Sequence, residues 1–155
     1  MANEEAIKKE LEEKFDFLKD KIIIPRERRL FTEPVEIEDF LKAIEYAASK
    51  MDFDILTTIT GLDEGESIVA IYHLARKDGT MLNLKSKTPK ENPVMKTISN
   101  LFNGAVFYER ELVDMLGVQM EGLPEGKRYP LPDDWPEGQY PLRKEWKREM
   151  LDAKP

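Results

Sequence analysis

The stretch FDILTTITGLDEGESIVAIYHLARKDGTMLNLKSK, residues Phe53–Lys87, decides the fold of this chain. It holds three segments of strand length that are rich in Ile, Leu, Thr and Tyr: Phe53–Gly61, Ser67–Arg76 and Thr80–Lys87. Every second residue from Ile68 to Leu74 is apolar, as in a strand with one buried face. Between the second and third segments, the pair Asp78-Gly79 favours a tight type I′ hairpin. The stretch therefore predicts neighbouring antiparallel strands.

Two amphipathic helices are predicted upstream of these strands. The first spans Ala2–Asp20, with Asn3 as its N-cap, and the second spans Glu36–Met51; each has apolar residues at helical spacing. Between them, two short strands, Ile22–Ile24 and Arg28–Phe31, flank Pro25. Proline cannot donate to a central ladder.

Downstream of the strands, two further helices are predicted before the chain changes character. The first is a short helix over Pro93–Phe102, and the second spans Ala105–Leu116 and is closed by Gly117. We therefore expect an α+β fold, with a mixed or antiparallel sheet and helices packed on one face. We assign residues 1–117 to this globular domain.

Residues 118–155, the C-terminal arm, are rich in proline and glycine, which excludes a long helix or a central strand. The arm also contains more large apolar and aromatic residues than disordered segments do. We therefore interpret it as an extended segment that packs on a surface, either of its own domain or of a partner. Its aromatic candidates for such packing are Tyr129, Trp135, Tyr140 and Trp146.

The composition excludes several classes of function. The 155 residues contain no cysteine and only one histidine, His73, so thiolate metal sites and iron–sulfur ligation are absent. A net charge of −7 argues against nucleic-acid binding. Because no apolar run reaches the ~18 residues of a membrane helix and the first residues are polar and acidic, we expect a cytoplasmic protein without a direct membrane span.

A run of motifs resembles one known family. The stretch Glu109–Gly117 combines Glu-Arg-Glu with a following Asp, two apolar residues and Gly. The arm continues in the same order with Gly122-Leu123-Pro124, Lys127-Arg128, Leu131-Pro132-Asp133-Asp134-Trp135 and Tyr140-Pro141-Leu142-Arg143-Lys144. Together with the strand segments, these motifs resemble the 30 kDa subunit family of complex I (NADH dehydrogenase) and of energy-converting hydrogenases over roughly residues 53–146.

Two departures from the family pattern favour a divergent branch. Leu123 stands where the family commonly has histidine, and Leu101–Gly104 replaces an apolar Trp-Pro pair. The expected relatives are subunits of ferredoxin-linked membrane hydrogenases or sulfur reductases. The 30 kDa subunit of a quinone-reducing NADH dehydrogenase is the alternative within the family.

The resemblance implies a structural subunit without a cofactor, metal or catalytic residue of its own. It implies a peripheral position on the cytoplasmic face of the membrane, docked to a hydrogenase-large-subunit-like (49 kDa-type) subunit beside small and iron–sulfur subunits. The residues expected at this partner interface are Glu109, Arg110, Glu111, Asp114, Arg128, Trp135, Tyr140, Arg143 and Lys144.

Other interpretations of these residues remain open at this point. The carboxylates Glu109, Glu111 and Asp114 would also suit acid–base catalysis in a small stand-alone hydrolase or lyase. A free-standing adaptor is a third possibility. The simplest interpretation of the cluster is an ion-pair network in which Arg110 and Asp114, four residues apart, pair across one helical turn. For His73, we expect a surface or hydrogen-bonded side chain.

Overall fold

The computed structural model describes residues 2–151, and a six-stranded mixed sheet lies at the centre of the chain. Its strands are β1 (Ile22–Arg26), β2 (Arg29–Thr32), β3 (Val35–Glu36), β4 (Ile55–Asp63), β5 (Ser67–Ala75) and β6 (Met81–Pro89). The order is β1-β2-β6-β5-β4, with β3 also paired to β6. β4, β5 and β6 are antiparallel, whereas β2 and β3 run parallel to β6. The predicted α+β class is confirmed.

Three helices cover one face of this sheet: α1 (Ala2–Lys14), α2 (Ile37–Lys50) and α3 (Ala105–Leu116). On β5 and β6, Tyr72 lies opposite Leu84, and these side chains pack in the core with Phe40 of α2. The rings of Phe40 and Tyr72 lie 4.4 Å apart. The alternate residues of β5 face away from the helices, and His73 among them is partly exposed. No helix of the described residues is both long and apolar enough for a membrane span.

The N-terminal region differs from the prediction in detail. α1 ends at Lys14, and a single 3-10 turn, Asp16–Leu18, follows it. Asn3 lies inside the helix, and its side-chain amide donates to Asp78 Oδ2 at 3.1 Å rather than capping the helix. Pro25 lies within β1 at the sheet edge, and not between two strands as predicted.

The helix predicted over Pro93–Phe102 is wrong. Residues 94–96 form the short strand β7 (Val94–Lys96), which pairs in parallel with β8 (Gln119–Glu121). Met95 of β7 is fully buried. The pairing partner lies about two dozen residues further along the chain, so local sequence pattern does not reveal it.

The type I′ turn expected at Asp78-Gly79 is also wrong, although the hairpin itself forms. Gly79 has a φ of +82°, but Asp78 is not among the residues with positive φ, which a type I′ turn requires at both positions. The loop instead closes through a hydrogen bond from Arg76 N to Thr80 O (2.9 Å) and one from Gly79 N to Arg76 O (3.0 Å).

Helix α3 has the predicted bounds, and Gly117 ends it in the left-handed conformation, with a φ of 73°. The packed part of the chain continues beyond Gly117, because Val118 is buried in the core and β8 follows it. Beyond Glu121 the described chain is irregular up to a final 3-10 turn, Arg148–Leu151. None of residues 122–151 is fully buried.

Candidate functional site

The C-terminal arm folds back on α3, and Asp114 is the centre of the contact. Asp114 as a whole residue is 5% exposed. Its Oδ1 accepts a hydrogen bond from Arg128 Nε and its Oδ2 accepts one from the backbone N–H of Leu131, both at 3.2 Å. Arg128 also donates through Nη1 to the carbonyl of Trp135 at 3.0 Å. One buried carboxylate thus holds two points of the arm.

The predicted ion pair between Arg110 and Asp114 does not form. Arg110 Nη2 donates instead to the carbonyl oxygens of Pro124 and Glu125, each at 3.1 Å. Both side chains therefore bind the arm rather than each other. The i,i+4 spacing alone predicts the wrong partner because the arm supplies closer acceptors and a competing arginine.

The C-terminal end of α3 is capped by the arm. The backbone N–H of Leu142 donates to Met115 O at 3.0 Å, and Arg143 Nε donates to Leu116 O at 2.8 Å. These bonds satisfy carbonyls that a helix end leaves without intrahelical partners. The Arg143 guanidinium also lies over the Tyr140 ring, 4.9 Å from its centroid.

Gly117 allows the Tyr140 ring to lie directly against the helix end. A Cβ atom at position 117 would come within 2.5–2.8 Å of three atoms of that ring. This distance is too short for a real contact, so glycine is needed here both for its positive φ and for its missing side chain. The missing side chain at position 117 therefore lets the Tyr140 ring contact the end of α3.

The two tryptophans are also engaged within the chain. Trp135 Nε1 donates to Gln139 O at 2.9 Å, and Trp146 Nε1 donates to Gln139 Oε1 at 3.2 Å. The indole rings lie 6.1 Å apart. Trp135, Tyr140 and Arg143 therefore organise the arm itself. Their contact with a partner subunit stays a prediction.

Asp63, at the end of β4, ties the last part of the arm to the sheet. Its Oδ2 accepts hydrogen bonds from Lys90 Nζ (2.6 Å) and from the backbone N–H of Lys144 (2.8 Å), and its Oδ1 accepts one from Gly65 N (2.8 Å). Lys90 Nζ also lies 2.5 Å from Glu145 Oε2. Burial works against the charged carboxylate, but these donors prevail and lower the pKa of Asp63 from 3.8 to about 2.

Replacing Asp63 with asparagine should destabilise the chain by roughly 2 kcal/mol at pH 7, the free energy that corresponds to this pKa difference. Because the folded pKa is depressed, the stabilisation is present above pH 3.8 and is lost as the pH falls through about 2. Urea unfolding of both proteins at several pH values measures the effect. A difference that stays constant down to pH 2 would contradict the assignment.

Glu109 has an internal role. The side chain is fully buried, its Oε1 accepts a hydrogen bond from Ile98 N at 2.8 Å, and its Oε2 accepts one from Thr97 Oγ1 at 2.5 Å. Burial raises the pKa of this carboxyl, while the two hydrogen bonds oppose the rise. A carboxylate without exposed surface cannot pair across an interface, so the predicted place of Glu109 at a partner interface does not fit this structure.

The acidic residues of α3 do not line one common groove. A groove of about 720 Å³ between α3, β8 and the arm is lined by Asp114, Arg128 and Tyr140, but by neither Glu109 nor Glu111. Within residues 2–151, no three His, Cys, Asp or Glu side chains lie close enough to hold a metal ion. Glu111 is partly exposed on the helix surface.

His73 lies in a hydrogen-bonded row on the open face of the sheet. Its Nδ1 is 2.6 Å from Asn83 Oδ1, and its Nε2 is 3.0 Å from Thr60 Oγ1. Because the Asn83 amide nitrogen donates to Leu30 O, its oxygen faces His73, and we assign the proton of the neutral ring to Nδ1. The prediction of a hydrogen-bonded histidine is confirmed.

Two residues of this region, Asp63 and Phe107, were not predicted as site residues from the sequence. Asp63 carries a local signal, since an Asp two residues before a Gly is typical of an Asx turn. Phe107 lies about half a helical turn away from the buried positions Ala105 and Leu112 of α3, and it is 58% exposed. An aromatic residue off the buried stripe of a helix is detectable from spacing alone.

Comparison with known proteins gives a consistent result. A family model described as "Respiratory-chain NADH dehydrogenase, 30 Kd subunit" matches residues 32–150. The chain is 33% identical over 105 residues to a subunit of the F420H2 dehydrogenase of Methanosarcina mazei, covering 66% of each protein. It is 44% identical over 85 residues to the beta subunit of the membrane-bound hydrogenase of Pyrococcus furiosus, covering 52% of this chain and 49% of that one.

A third relative is matched over a larger share of both proteins. The J subunit of the NAD(P)H-quinone oxidoreductase of a Synechococcus species is 37% identical over 130 residues, which is 74% of this chain and 70% of the relative. The chain thus spans between about half and two thirds of the length of the two archaeal relatives.

Among the solved structures that resemble this chain, two are covered to a large extent. The first comes from the membrane-bound sulfane sulfur reductase, an archaeal respiratory membrane complex, with a TM-score of 0.77 and 29% identity over 96% of this chain and 88% of the other. The second is a trypsin-resistant fragment of Nqo5, with a TM-score of 0.65 and 24% identity over 80% of this chain and 99% of the other. The Nqo5 likeness shows a shared fold.

Proposed function

This chain belongs to the respiratory-chain NADH dehydrogenase 30 kDa subunit family, and on that premise we propose that it is a structural subunit of a complex I-like, membrane-bound, ion-translocating oxidoreductase. The observation that carries the proposal is the match to a chain of the sulfane sulfur reductase complex, which extends over 96% of this chain at a TM-score of 0.77. The breadth of this match supports a counterpart of this fold in a respiratory complex.

Within the family, the hydrogenase or sulfur-reductase type is favoured. The support is the 44% identity to a membrane-bound hydrogenase subunit and the likeness to the sulfur reductase chain. The quinone-reducing type remains a second candidate, because the J subunit of a quinone oxidoreductase matches over a longer stretch, 130 residues at 37% identity.

The proposed role is mechanical rather than chemical. We infer that the chain docks on a hydrogenase-large-subunit-like (49 kDa-type) subunit, beside small and iron–sulfur subunits, at the cytoplasmic face of the membrane. The support is the arm: it is held in place by Asp114, Arg110 and Asp63, yet its residues keep exposed surface for a partner. Pre-ordering of a binding segment lowers the cost of association.

The direct test is isolation of the native assembly. A tagged full-length chain, expressed in its own host, should be recovered from detergent-solubilised membranes together with a hydrogenase-large-subunit-like protein and iron–sulfur proteins. The same tag on an unrelated cytosolic protein is the control. Recovery of the chain as a lone protein, at low as well as high salt, would overturn the proposal.

A second measurement tests the cofactor-free role. The chain separated from its partners is expected to show no visible absorption and no stoichiometric metal. Nickel, iron or zinc retained after chelation would contradict a purely structural subunit.

A further inference from the structure

We propose that Phe107 and Tyr129 form a ready-made aromatic anchor that inserts into an apolar pocket, rimmed by basic residues, on a neighbouring protein subunit. This inference rests on the proposed function and names the contact through which the chain docks. It moves the principal anchor away from Trp135 and Tyr140, the residues that the sequence pattern favours. It also predicts the chemistry of the partner surface.

The first argument is exposure. Phe107 is 58% exposed and Tyr129 is 47% exposed, and their rings meet edge to face at 5.9 Å. They come from different segments, α3 and the arm, and they share one exposed patch. Among residues 2–151, no hydrogen bond occupies the Tyr129 hydroxyl. Tyrosine and other aromatic side chains of this kind dominate interface hot spots.

The second argument is the contrast with the other aromatic residues of the arm. The indole N–H groups of Trp135 and Trp146 both bind Gln139, and the Tyr140 ring lies against Gly117. These residues already contribute to intrachain packing. The Phe107–Tyr129 pair has no comparable internal contact within the described chain, so its apolar surface is left for a partner.

The third argument is rigidity. The residues on either side of Tyr129-Pro130, namely Arg128 and Leu131, both bind the buried carboxylate of Asp114. A few residues earlier, Arg110 holds the carbonyls of Pro124 and Glu125. The loop that carries Tyr129 is therefore fixed to α3 at both ends, which reduces the entropy lost when it binds.

The fourth argument is charge. The arm beside Tyr129 presents exposed acidic residues, and of its two cations there, Arg128 is engaged by Asp114, which leaves Lys127. An exposed acidic segment on either side of an exposed tyrosine fits a protein surface with lysine or arginine around its pocket. It does not fit an anionic membrane surface, which attracts basic segments. The exposed acidic residues of the arm before and after Tyr129 are Glu125, Asp133, Asp134 and Glu137.

The test replaces Phe107 and Tyr129 by serine, singly and together, in the full-length chain. Ile23→Ser is the matched control, since Ile23 is 61% exposed and lies at the far edge of the sheet in β1. Each tagged variant is co-expressed with untagged wild-type chain, and its incorporation into the membrane complex is measured. We expect Phe107→Ser and Tyr129→Ser each to be incorporated about 30-fold less than Ile23→Ser, as for hot-spot residues.

Two of the possible outcomes would overturn the inference, and a third would overturn the proposed function. Incorporation of the double variant equal to that of Ile23→Ser would overturn it. If the wild-type chain itself fails to copurify with any partner, the proposed function fails instead. If the wild-type chain dimerises in solution and the double variant is monomeric, the patch is a contact between copies and the inference is wrong.

A second measurement does not depend on any variant being folded. Hydroxyl-radical footprinting of the wild-type chain should oxidise Phe107 and Tyr129 in isolation and leave both protected in the assembled complex. Unchanged reactivity on assembly would overturn the inference as well.

Discussion

Replacing Gly117 with valine is expected to destabilise the chain by roughly 4 kcal/mol and to release the arm from α3. A β-branched residue at a φ of +73° costs about 1–3 kcal/mol in backbone strain. Overpacking against the Tyr140 ring, which would lie 2.5–2.8 Å from the new Cβ, costs about 1–3 kcal/mol more. The ring must move, and the capping bonds from Leu142 and Arg143 are expected to break with it.

The measurement can follow the arm and the domain separately. Both tryptophans of the chain, Trp135 and Trp146, lie in the arm, so their fluorescence reports the arm, whereas far-UV circular dichroism reports the helices and the sheet. In the wild-type chain the two urea transitions should coincide. In Gly117→Val the fluorescence transition should come at lower urea.

Gly79→Val is the matched control for this experiment. Gly79 also has a positive φ, +82°, but a Cβ atom there would meet only Arg28 Nη1, at an ordinary contact distance of 3.6 Å. This variant therefore measures strain without overpacking, and its two transitions should stay together. Coincident transitions in Gly117→Val would show that the arm does not depend on the contact between Tyr140 and the helix end.

Replacing Glu109 with alanine is expected to cost roughly 2–4 kcal/mol. The change removes the acceptor of two hydrogen bonds, so the buried N–H of Ile98 loses its partner, and the Thr97 hydroxyl keeps only its contact with Ser99. An unsatisfied buried donor costs about 1–3 kcal/mol, and the lost side-chain volume adds a cavity term. Because Thr97 and Ile98 connect β7 to α3, we expect the β7–β8 pair to loosen first.

Glu109→Gln is the matched variant, because an amide keeps the same shape and the same two contacts. Its oxygen can accept from Ile98 N, and its nitrogen can donate to Thr97 Oγ1. We expect this variant to be at least as stable as the wild-type chain at pH 7, because the amide carries no charge and burial disfavours the charged form of the glutamate. Hydrogen exchange of the Ile98 amide and urea unfolding distinguish the two substitutions.

The contribution of Glu109 to the stability of the chain changes with pH in a definite direction. Burial raises the folded pKa of Glu109 above its unfolded value, so its favourable contribution is fully present below the unfolded pKa and is lost as the pH rises through the folded pKa. Relative to Glu109→Gln, the wild-type chain should therefore lose stability with rising pH. If the difference in unfolding free energy between the two proteins stays constant as the pH rises above 4.5, the pKa of the Glu109 carboxyl is not raised by folding.

The aromatic residues of the arm show how far sequence reasoning reaches for the site. Composition and motif order direct attention to the arm and α3, since so much aromatic surface has to be covered. They could not separate arm residues that pack inside the chain, such as Trp135 and Tyr140, from the exposed aromatic residue of the arm, Tyr129. That distinction depends on which surface each ring meets after the arm has folded back.

Sequence alone determined the α+β class, the strands of Phe53–Lys87, the bounds of α3 and the family, because these follow from local periodicity, glycine chemistry and motif order. Tertiary structure alone decided that residues 94–96 are a strand rather than a helix, because their pairing partner in β8 is distant in sequence. It also decided that Asp114 binds Arg128 and not Arg110, and that Glu109 is buried. Partners of charged side chains depend on long-range proximity and on burial, and neither is encoded in the spacing of neighbouring residues.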